Sequence, residues 1–246
     1  MTICIGLLAS DGIVIAADSE EGDSYLKRSQ EKIFPWMGNV SSGPNAKPPE
    51  SACVLTGAGD AGMIDAFTHK ALKGLHAGMM EGELLDYFEN EIRDFYERHM
   101  FPRVNPPAFQ MLIGTFSRVS TAIFVTYGST IRRALPYAAV GAGSNFAMSQ
   151  IAELNKILDL KHTEVLAAYI IAATKERVEG CGKNTSVVSL HNASVLPGDP
   201  AKLAPPEWPL TVVSPNQIRQ WEESFSAKWA PRQMTLIEEL IEEELA

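Results

Sequence analysis

The feature that most constrains this fold is a change in the spacing of apolar residues along the chain. Residues 2–9 and 13–17 are apolar runs rich in β-branched side chains, and Ser10, Asp11 and Gly12 lie between them. This pattern predicts two strands joined by a tight turn. From Met63 onward the apolar residues recur every three or four positions, which predicts amphipathic helices.

The predicted helices come in two successive pairs. The first pair has two apolar faces, formed by Met63, Ile64, Phe67, Ala71 and Leu75 and by Leu85, Phe88, Ile92 and Phe95. The second pair covers residues 145–158 and 164–179, and its central stretch VLAAYIIAA is nearly all apolar, which predicts burial. Further strands are predicted at 32–36, at 51–56, in the hairpin FQMLIGTF and TAIFVTYG, up to about Val140, and in TSVVSLHNA.

The resulting order is strands, two helices, strands, two helices, strand. Two antiparallel sheets packed face to face, with a helix pair covering each outer face, would bury every apolar surface in that order. The predicted fold class is therefore α+β, a four-layer αββα sandwich formed by residues 1–195.

Residues 196–246 are predicted to form an appendage to this domain. The segment 196–215 is proline-rich and reads as a linker, and Ser214 to Gln217 form a capping box that starts a helix. A second capping box, at Thr235 and Glu238, starts a last helix. Because this helix has one apolar face, we predict that it docks on its own subunit or on a neighbouring one. The alternative is that the segment is an acidic tail exposed to solvent.

Composition and charge argue against several classes of function. The 246 residues carry a net charge of −9 without any block of Lys and Arg, which argues against binding to nucleic acid or to an anionic membrane surface. No stretch reaches the roughly 18 apolar residues that a membrane-spanning helix needs, and the N-terminus lacks the basic region of a signal peptide. A cytoplasmic protein is predicted.

Cysteine and histidine spacing predicts no metal site. The chain has three cysteines, Cys4, Cys53 and Cys181, and no two of them form a CxxC motif. An odd number of cysteines without such a motif is typical of reduced structural thiols. The histidines are scattered, and His69 and His76, which share a predicted helix, lie two turns apart, too far to hold one metal ion together.

The segment GAGDAG, from Gly57 to Gly62, matches the GxGxxG pattern of dinucleotide-binding proteins. A second helix, EGELLDYFENEI, follows where that unit requires a strand ending in an acidic residue, so no cofactor is expected. This turn and a second one, GAGSNFA from Gly141, each expose backbone N–H groups beside a helix N-terminus, which suits an oxyanion. The alternative is that these glycines only permit tight turns.

Thr2 has the chemistry of a nucleophile. Its hydroxyl needs a base within hydrogen-bond reach, and once Met1 is removed its own α-amine can serve, because the pKa of such an amine is about 7.7–8.0. A nearby ammonium would lower that pKa, and Lys32 is the candidate, with Asp18 as its partner. Taken singly, Lys32 is better interpreted as a surface lysine at the start of a strand, and Asp18 as a turn or strand-end residue.

Together these segments resemble the proteasome β-type subunits, a family of N-terminal-nucleophile hydrolases. The resemblance runs from Thr2 to Asn192. Five blocks carry it in the same order as in the family, namely TICIGLLASDGIVIAADS, EKIFPW, VLTGAGDAGMIDAF, AVGAGSNFA and GKNTSVVSL.

The resemblance implies a role for each candidate residue. Thr2 falls on the nucleophile, Asp18 on its acidic partner, Lys32 on the lysine that tunes it, Gly57 on the donor of the oxyanion hole, and Leu55 on a residue that shapes the first specificity pocket. It also implies a homo-oligomer, in a ring or a related assembly, with protein or peptide substrates and an unfolding ATPase as a candidate partner.

The sequence departs from the family at supporting positions. Ala142 stands where catalytic members have a serine, and Arg177 and Gly180 stand near the expected acidic residue and serine. The leading prediction is a threonine-type endopeptidase that becomes active when Met1 is removed. Two alternatives stay open, a non-catalytic structural or assembly subunit of the same fold and an amidohydrolase acting on small amides.

Overall fold

A computed structural model describes residues 2–22, 27–38, 49–118, 120–152, 157–192 and 209–227 of the chain. The strands are β1 (Ile3–Ala9), β2 (Gly12–Asp18), β3 (Glu20–Gly22), β4 (Lys27–Ser29), β5 (Ile33–Met37), β6 (Ser51–Gly59), β7 (Phe109–Ser117), β8 (Ser120–Tyr127), β9 (Thr130–Ala134), β10 (Tyr137–Gly141), β11 (Thr185–His191) and β12 (Leu210–Val212). The helices are α1 (Ala61–Gly74), α2 (Glu81–Phe95), α3 (Ser144–Ala152), α4 (Leu160–Arg177) and α5 (215–227).

The opening hairpin forms as its sequence predicts. Strands β1 and β2 pair in antiparallel register from Cys4 opposite Ala17 to Ala9 opposite Gly12, so the turn falls at Ser10 and Asp11. The pair lies inside an antiparallel sheet of five strands in the order β10, β1, β2, β11, β12, called here the first sheet. Because it is flanked on both sides, the hairpin has backbone partners along both edges.

The second sheet is also antiparallel, with five strands in the order β5, β6, β7, β8, β9. Its longest pairing joins β6 to β7, from Ser51 opposite Ser117 to Gly59 opposite Phe109. Strand β6 leads directly into α1, whose N-cap is Asp60, a carboxylate that accepts a hydrogen bond from the backbone N–H of Met63 at 3.0 Å. This strand-to-helix passage is the first predicted glycine turn.

Three apolar clusters hold these elements together. One joins the first sheet to α3, α4 and α5 and includes Ile5, Ile171 and Ile218. Another contains residues of both sheets, such as Ile15 and Leu112. The third packs the second sheet against α1 and α2, and its largest fully buried side chains include Phe67, Phe88, Phe95 and Phe124. Burying one side chain of this size stabilises the fold by about 1.5–3 kcal/mol. The predicted α+β class with antiparallel sheets is thus confirmed.

The described part of the C-terminal segment differs from the prediction. Residues 196–215 were expected to be a linker, yet β12 within that range pairs with β11, with Val188 opposite Val212. The predicted capping box at Ser214 does begin a helix, because the backbone N–H of Gln217 donates to the Ser214 hydroxyl at 3.3 Å. The helix predicted after Thr235 lies outside the described residues.

Several short elements were not predicted. They are the two-stranded ribbon of β3 and β4, the edge strand β9, and a π-helical turn at Tyr96–Met100 that extends α2. None of the helices in the described ranges is both long enough and apolar enough to cross a membrane.

Candidate active site

Thr2 lies immediately before β1 and is only 8% exposed. Its hydroxyl accepts a hydrogen bond from the Nζ atom of Lys32. Its carbonyl oxygen accepts one from the backbone N–H of Gly143, at 3.4 Å, in the turn between β10 and α3. Thr2 is therefore held by both its side chain and its backbone.

The turn over Thr2 requires glycine at position 141. Gly141 has a φ of +102°, and a Cβ atom there would overlap the Thr2 carbonyl oxygen. A side chain would be strained by its backbone angle and also excluded by Thr2. The second predicted glycine turn thus packs directly on the residue predicted to be the nucleophile.

Lys32 lies just before β5, and its ammonium group is surrounded by oxygen atoms. Nζ donates to the Asp18 carboxylate at 2.9 Å, to the Thr2 hydroxyl and to the carbonyl oxygen of Glu20. An ammonium has three N–H donors, so these three acceptors use all of them. The Lys32 side chain is 9% exposed and that of Asp18 is 0% exposed, so this is a buried, fully hydrogen-bonded ion pair.

Asp18 ends β2 and is fixed by donors on both carboxylate oxygens. Oδ1 accepts from Lys32 and from the backbone N–H of Ile3 at 3.1 Å, while Oδ2 accepts from the backbone N–H of Gly182 at 2.9 Å. The donors come from β1, from the segment before β5 and from the loop between α4 and β11. Asp18 thus links three separate parts of the chain around Thr2.

A narrow cavity of about 40 Å³ opens beside the Thr2 hydroxyl. Thr2, Lys32 and Gly57 share its wall with the apolar side chains of Phe34 and Ile64. Carboxylates of Glu21, Glu31 and Asp65 also line it. The structure therefore brings Thr2, Lys32, Asp18 and Gly57, which are far apart in the sequence, to one place.

Gly57 lies near the end of β6, next to Met111 on β7. A Cβ atom at this position would lie 2.9 Å from the carbonyl oxygen of Gln110 and 2.7 Å from the sulfur of Met111. Such contacts leave room only for glycine. The role predicted for its N–H group, as an oxyanion donor, stays a prediction.

Leu55 is not placed in the cavity. The side chain is fully buried in the cluster beneath α1 and α2. Phe34, its cross-strand neighbour on β5, lines the cavity instead. The role predicted for Leu55 in shaping a specificity pocket stays a prediction, and the cavity wall at this point is formed by Phe34.

The supporting positions also differ from expectation. Ala142 and Arg177 are exposed, and Gly180 is a buried residue with a φ of +81°. The residue of this region that contacts the site is Gly182, through its backbone N–H. A backbone donor has no side-chain signature, so the sequence offered only the glycine-rich stretch GCGKN as a signal.

The described residues contain no group of three or more His, Cys, Asp and Glu side chains arranged to hold a metal ion. Cys4 and Cys181 lie near the site but are protonated at neutral pH, because burial raises the pKa of Cys4 to about 12 and that of Cys181 to about 11. The Cys4 thiol donates to the carbonyl oxygen of Gly57 at 3.3 Å and accepts from the Thr56 hydroxyl at 3.1 Å. Both thiols are structural neighbours of the site.

No family model matches the chain, and no curated protein sequence matches it. Solved structures of Anbu do match along nearly its whole length. They include the Anbu (Gly-1) mutant from Hyphomicrobium sp. strain MC1, with 14% identity, 96% of each chain covered and a TM-score of 0.70.

Two further structures agree with this match. The Anbu complex from Pseudomonas aeruginosa, solved as a helical assembly, has 13% identity and a TM-score of 0.71, covering 95% of this chain and 96% of that one. Anbu (ancestral beta-subunit) from Yersinia bercovieri has 12% identity and a TM-score of 0.71, with 96% of each chain covered.

These findings correct the resemblance drawn from the sequence. The assignment to the proteasome β-type subunits is wrong, because the matching structures belong to Anbu, a proteasome-related family. The blocks that suggested it, a hairpin, a lysine before a strand and two glycine turns, are features of the fold and do not separate families that share it. The chain therefore has the fold of Anbu.

Proposed function

We propose that this chain is a threonine-type peptidase that acts within a self-assembling, Anbu-like complex. The observation that supports the proposal is the contact of the Thr2 hydroxyl with the Lys32 ammonium, which Asp18 holds in place beside an open cavity. We also infer that the two sheets and their helix pairs stack as the four-layer αββα sandwich of N-terminal-nucleophile hydrolases.

In the proposed reaction, removal of Met1 gives Thr2 a free α-amine. The amine takes the hydroxyl proton while Oγ1 attacks the carbonyl carbon of a peptide bond. The Lys32 ammonium stabilises negative charge developing on Oγ1, and the Gly57 N–H donates to the oxyanion. The C–N bond then breaks, the leaving amine takes the proton from the Thr2 amine, and an ester remains on Oγ1. Water hydrolyses this ester and restores Thr2.

Self-assembly is part of the proposal. The Pseudomonas aeruginosa Anbu complex was solved as a helical assembly, and the chain of that complex shares this fold over nearly its whole length. Protein or peptide substrates follow from the peptidase chemistry, and an unfolding ATPase is the kind of partner that would feed an enclosed site. We place the assembly in the cytoplasm.

The test is covalent labelling of Thr2. Protein purified from its native host is analysed by intact mass for loss of Met1, then incubated with an electrophilic peptide. We expect one adduct, mapped to Thr2 by fragmentation, and cleavage of unstructured peptides. Thr2→Ala should abolish both, and Gln30→Ala, at the cavity wall but outside the Thr2, Lys32 and Asp18 contacts, should retain the labelling at Thr2.

The other outcomes assign the alternative functions. Protein that keeps Met1 and forms no adduct contradicts the peptidase and supports a structural subunit. Protein that labels at Thr2 but hydrolyses only small amides supports an amidohydrolase.

A further inference from the structure

The polar contacts behind the candidate site converge on Lys175, near the end of α4. Its Nζ atom donates to the carbonyl oxygen of Lys183 at 3.1 Å, to the Thr185 hydroxyl at 2.9 Å and to the Glu222 carboxylate at 2.5 Å. The Lys175 and Glu222 side chains are 15% and 24% exposed. Four elements meet at this point: α4, the loop 178–184, β11 and α5.

The loop tied down by Lys175 is the one that supports Asp18. Gly182, directly before Lys183, donates its backbone N–H to Asp18 Oδ2 at 2.9 Å. Directly after Lys183, Asn184 exchanges two bonds with Ser19: its N–H donates to the Ser19 hydroxyl and its carbonyl accepts from the Ser19 N–H, at 2.9 and 2.8 Å. Lys183 is thus placed between two residues that contact the end of β2.

Lys183 itself has an unfavourable backbone conformation. Its φ is +63°, and among the residues whose backbone is described it is the only non-glycine residue with a positive φ. A residue with a side chain is strained at such a positive φ, and it keeps this backbone conformation when the surrounding contacts impose it. The bond from Lys175 to its carbonyl oxygen is such a contact.

We propose that Lys175 and Glu222 form a positioning pair, which sets the direction of the Gly182 N–H and through it the position of Asp18. Glu222 lies on α5, outside the region of the sequence resemblance, and orients Lys175; Lys175 holds the Lys183 carbonyl and hence the loop. The inference rests on the proposed function, since it matters for catalysis only if Asp18 positions Lys32 against Thr2.

The pair would also replace the acidic residue and the serine that the resemblance led us to expect near Arg177 and Gly180. Arg177 is exposed and Gly180 has no side chain, so neither supplies the acidic or hydroxyl group expected there. The loop is fixed instead from behind, by an ion pair that includes a residue from the C-terminal segment. This gives α5 a function in the site as well as in packing.

The principal test compares Glu222→Gln and Lys175→Met with wild type. Small displacements of positioned groups reduce turnover strongly, so we expect kcat to fall by about 10- to 100-fold with an unchanged KM, because neither residue lines the cavity. Lys175→Arg, which keeps a cation and several donors, should recover part of kcat. Glu223→Gln is the matched control, since Glu223 is an exposed neighbour on the same helix.

A second measurement does not depend on activity. Hydrogen exchange at the Gly182 amide should be slow in wild type and faster in Glu222→Gln and Lys175→Met, measured well below the Tm of each variant. An unchanged exchange rate together with an unchanged kcat overturns the positioning role. A loss of activity shared equally by Glu223→Gln also overturns it.

The two proposals fail differently. Wild-type protein without Met1 that never labels at Thr2 overturns the proposed function, and faster Gly182 exchange in Glu222→Gln then still supports the structural coupling. Wild-type protein that labels, with variants that label at the same rate and exchange alike, overturns only the coupling.

Discussion

At the scale of single residues, the site depends on charge balance in a buried place. Lys32 and Asp18 are both almost inaccessible to solvent, and each provides the other's charged partner. A buried pair of this kind contributes little net stability compared with apolar residues, but losing one member leaves an unpaired charge. The pair is thus better explained by chemistry at Thr2 than by stability alone.

Replacement of Lys32 tests this balance. Lys32→Met should lower the free energy of unfolding by about 3–5 kcal/mol, because the buried Asp18 carboxylate loses its cation, and should abolish labelling of Thr2. The double variant Asp18→Asn with Lys32→Met should recover much of the stability and none of the labelling. Urea denaturation and intact mass measure the two effects; full labelling in Lys32→Met would show that the ammonium is not needed.

The cysteines allow a second prediction at this scale. Burial raises the pKa of Cys4 to about 12 and that of Cys181 to about 11, and it also raises that of Cys53. At pH 8, about one Cys181 in a thousand would be a thiolate, the form that reacts. In native protein we expect no reaction of the three thiols with a disulfide reagent within minutes, and three equivalents after denaturation. A rapidly reacting thiol in the folded protein would contradict the burial.

At the scale of elements, the turns decide whether strands and helices meet at the site. The turn after β10 is one case, because Gly141 packs on the Thr2 carbonyl. Gly128, in the turn between β8 and β9, is the natural comparison, since its φ is +60° but a Cβ atom there would contact nothing within 4 Å.

Replacing each of these two glycines by alanine should separate the cost of backbone strain at positive φ from the cost of steric overlap with Thr2. Gly128→Ala should cost about 1–2 kcal/mol of stability, the usual strain of a left-handed residue, and leave labelling at Thr2 intact. Gly141→Ala should cost more and slow labelling, because Thr2 must move. Equal losses of stability with equal labelling rates in the two variants would show that the turn does not position Thr2.

Helix α4 carries a carboxylate whose titration affects stability. Glu164 is 9% exposed and accepts a hydrogen bond from the Ser189 hydroxyl of β11 at 2.7 Å. Burial raises the pKa of Glu164. The folded state therefore binds this proton more tightly than the unfolded state, and the free energy of unfolding falls as pH rises through and above the usual carboxylate range near about 4.3.

Glu164→Gln removes this dependence and keeps an oxygen that can accept from Ser189. Its stability relative to wild type should therefore increase between pH 4 and pH 7, as measured by urea denaturation at each pH. Glu223→Gln, the same change at an exposed position, is the matched control. A constant difference between Glu164→Gln and wild type across this range would mean that Glu164 titrates normally.

The main elements could be predicted because they are long and regularly patterned. The hairpin of β1 and β2 is fixed by two apolar runs around a tight turn, and α1 and α2 by their apolar faces. Strands β3, β4 and β12 have three residues each, too few to show an alternating pattern. For β12 the proline-rich surroundings favoured a linker, while its pairing with β11 depends on contacts distant in sequence.

The part of the candidate site that could be predicted from the sequence is the part formed by characteristic residue types. Thr2, Asp18, Lys32 and Gly57 were named from the sequence and do come together. The donors from Ile3 and Gly182 and the acceptor from Glu20 are backbone groups, which every residue has, so only a folded chain identifies them. Lys175 and Glu222 lie 47 positions apart, and neither belongs to a recognisable motif.

At the scale of the whole molecule, the proposal requires several copies of the chain. Size-exclusion chromatography with light scattering should give a mass that is a multiple of the subunit mass at micromolar concentration. Thr2→Ala should assemble equally well, because Thr2 is buried beside the cavity and its hydroxyl is engaged by Lys32. A strictly monomeric protein would contradict the proposed assembly.

The contact between Asp18 and the backbone N–H of Ile3 has a consequence for how such an enzyme would be switched on. It fixes the peptide unit directly after Thr2, and the contacts among Thr2, Lys32 and Asp18 use no atom of the residue before Thr2, so removal of Met1 would break none of them. The precursor and the mature form would then share one geometry. If Thr2 is the nucleophile, as we propose, the precursor would be inactive only because it lacks a free amine at Thr2, and activation would need neither refolding nor the movement of a loop.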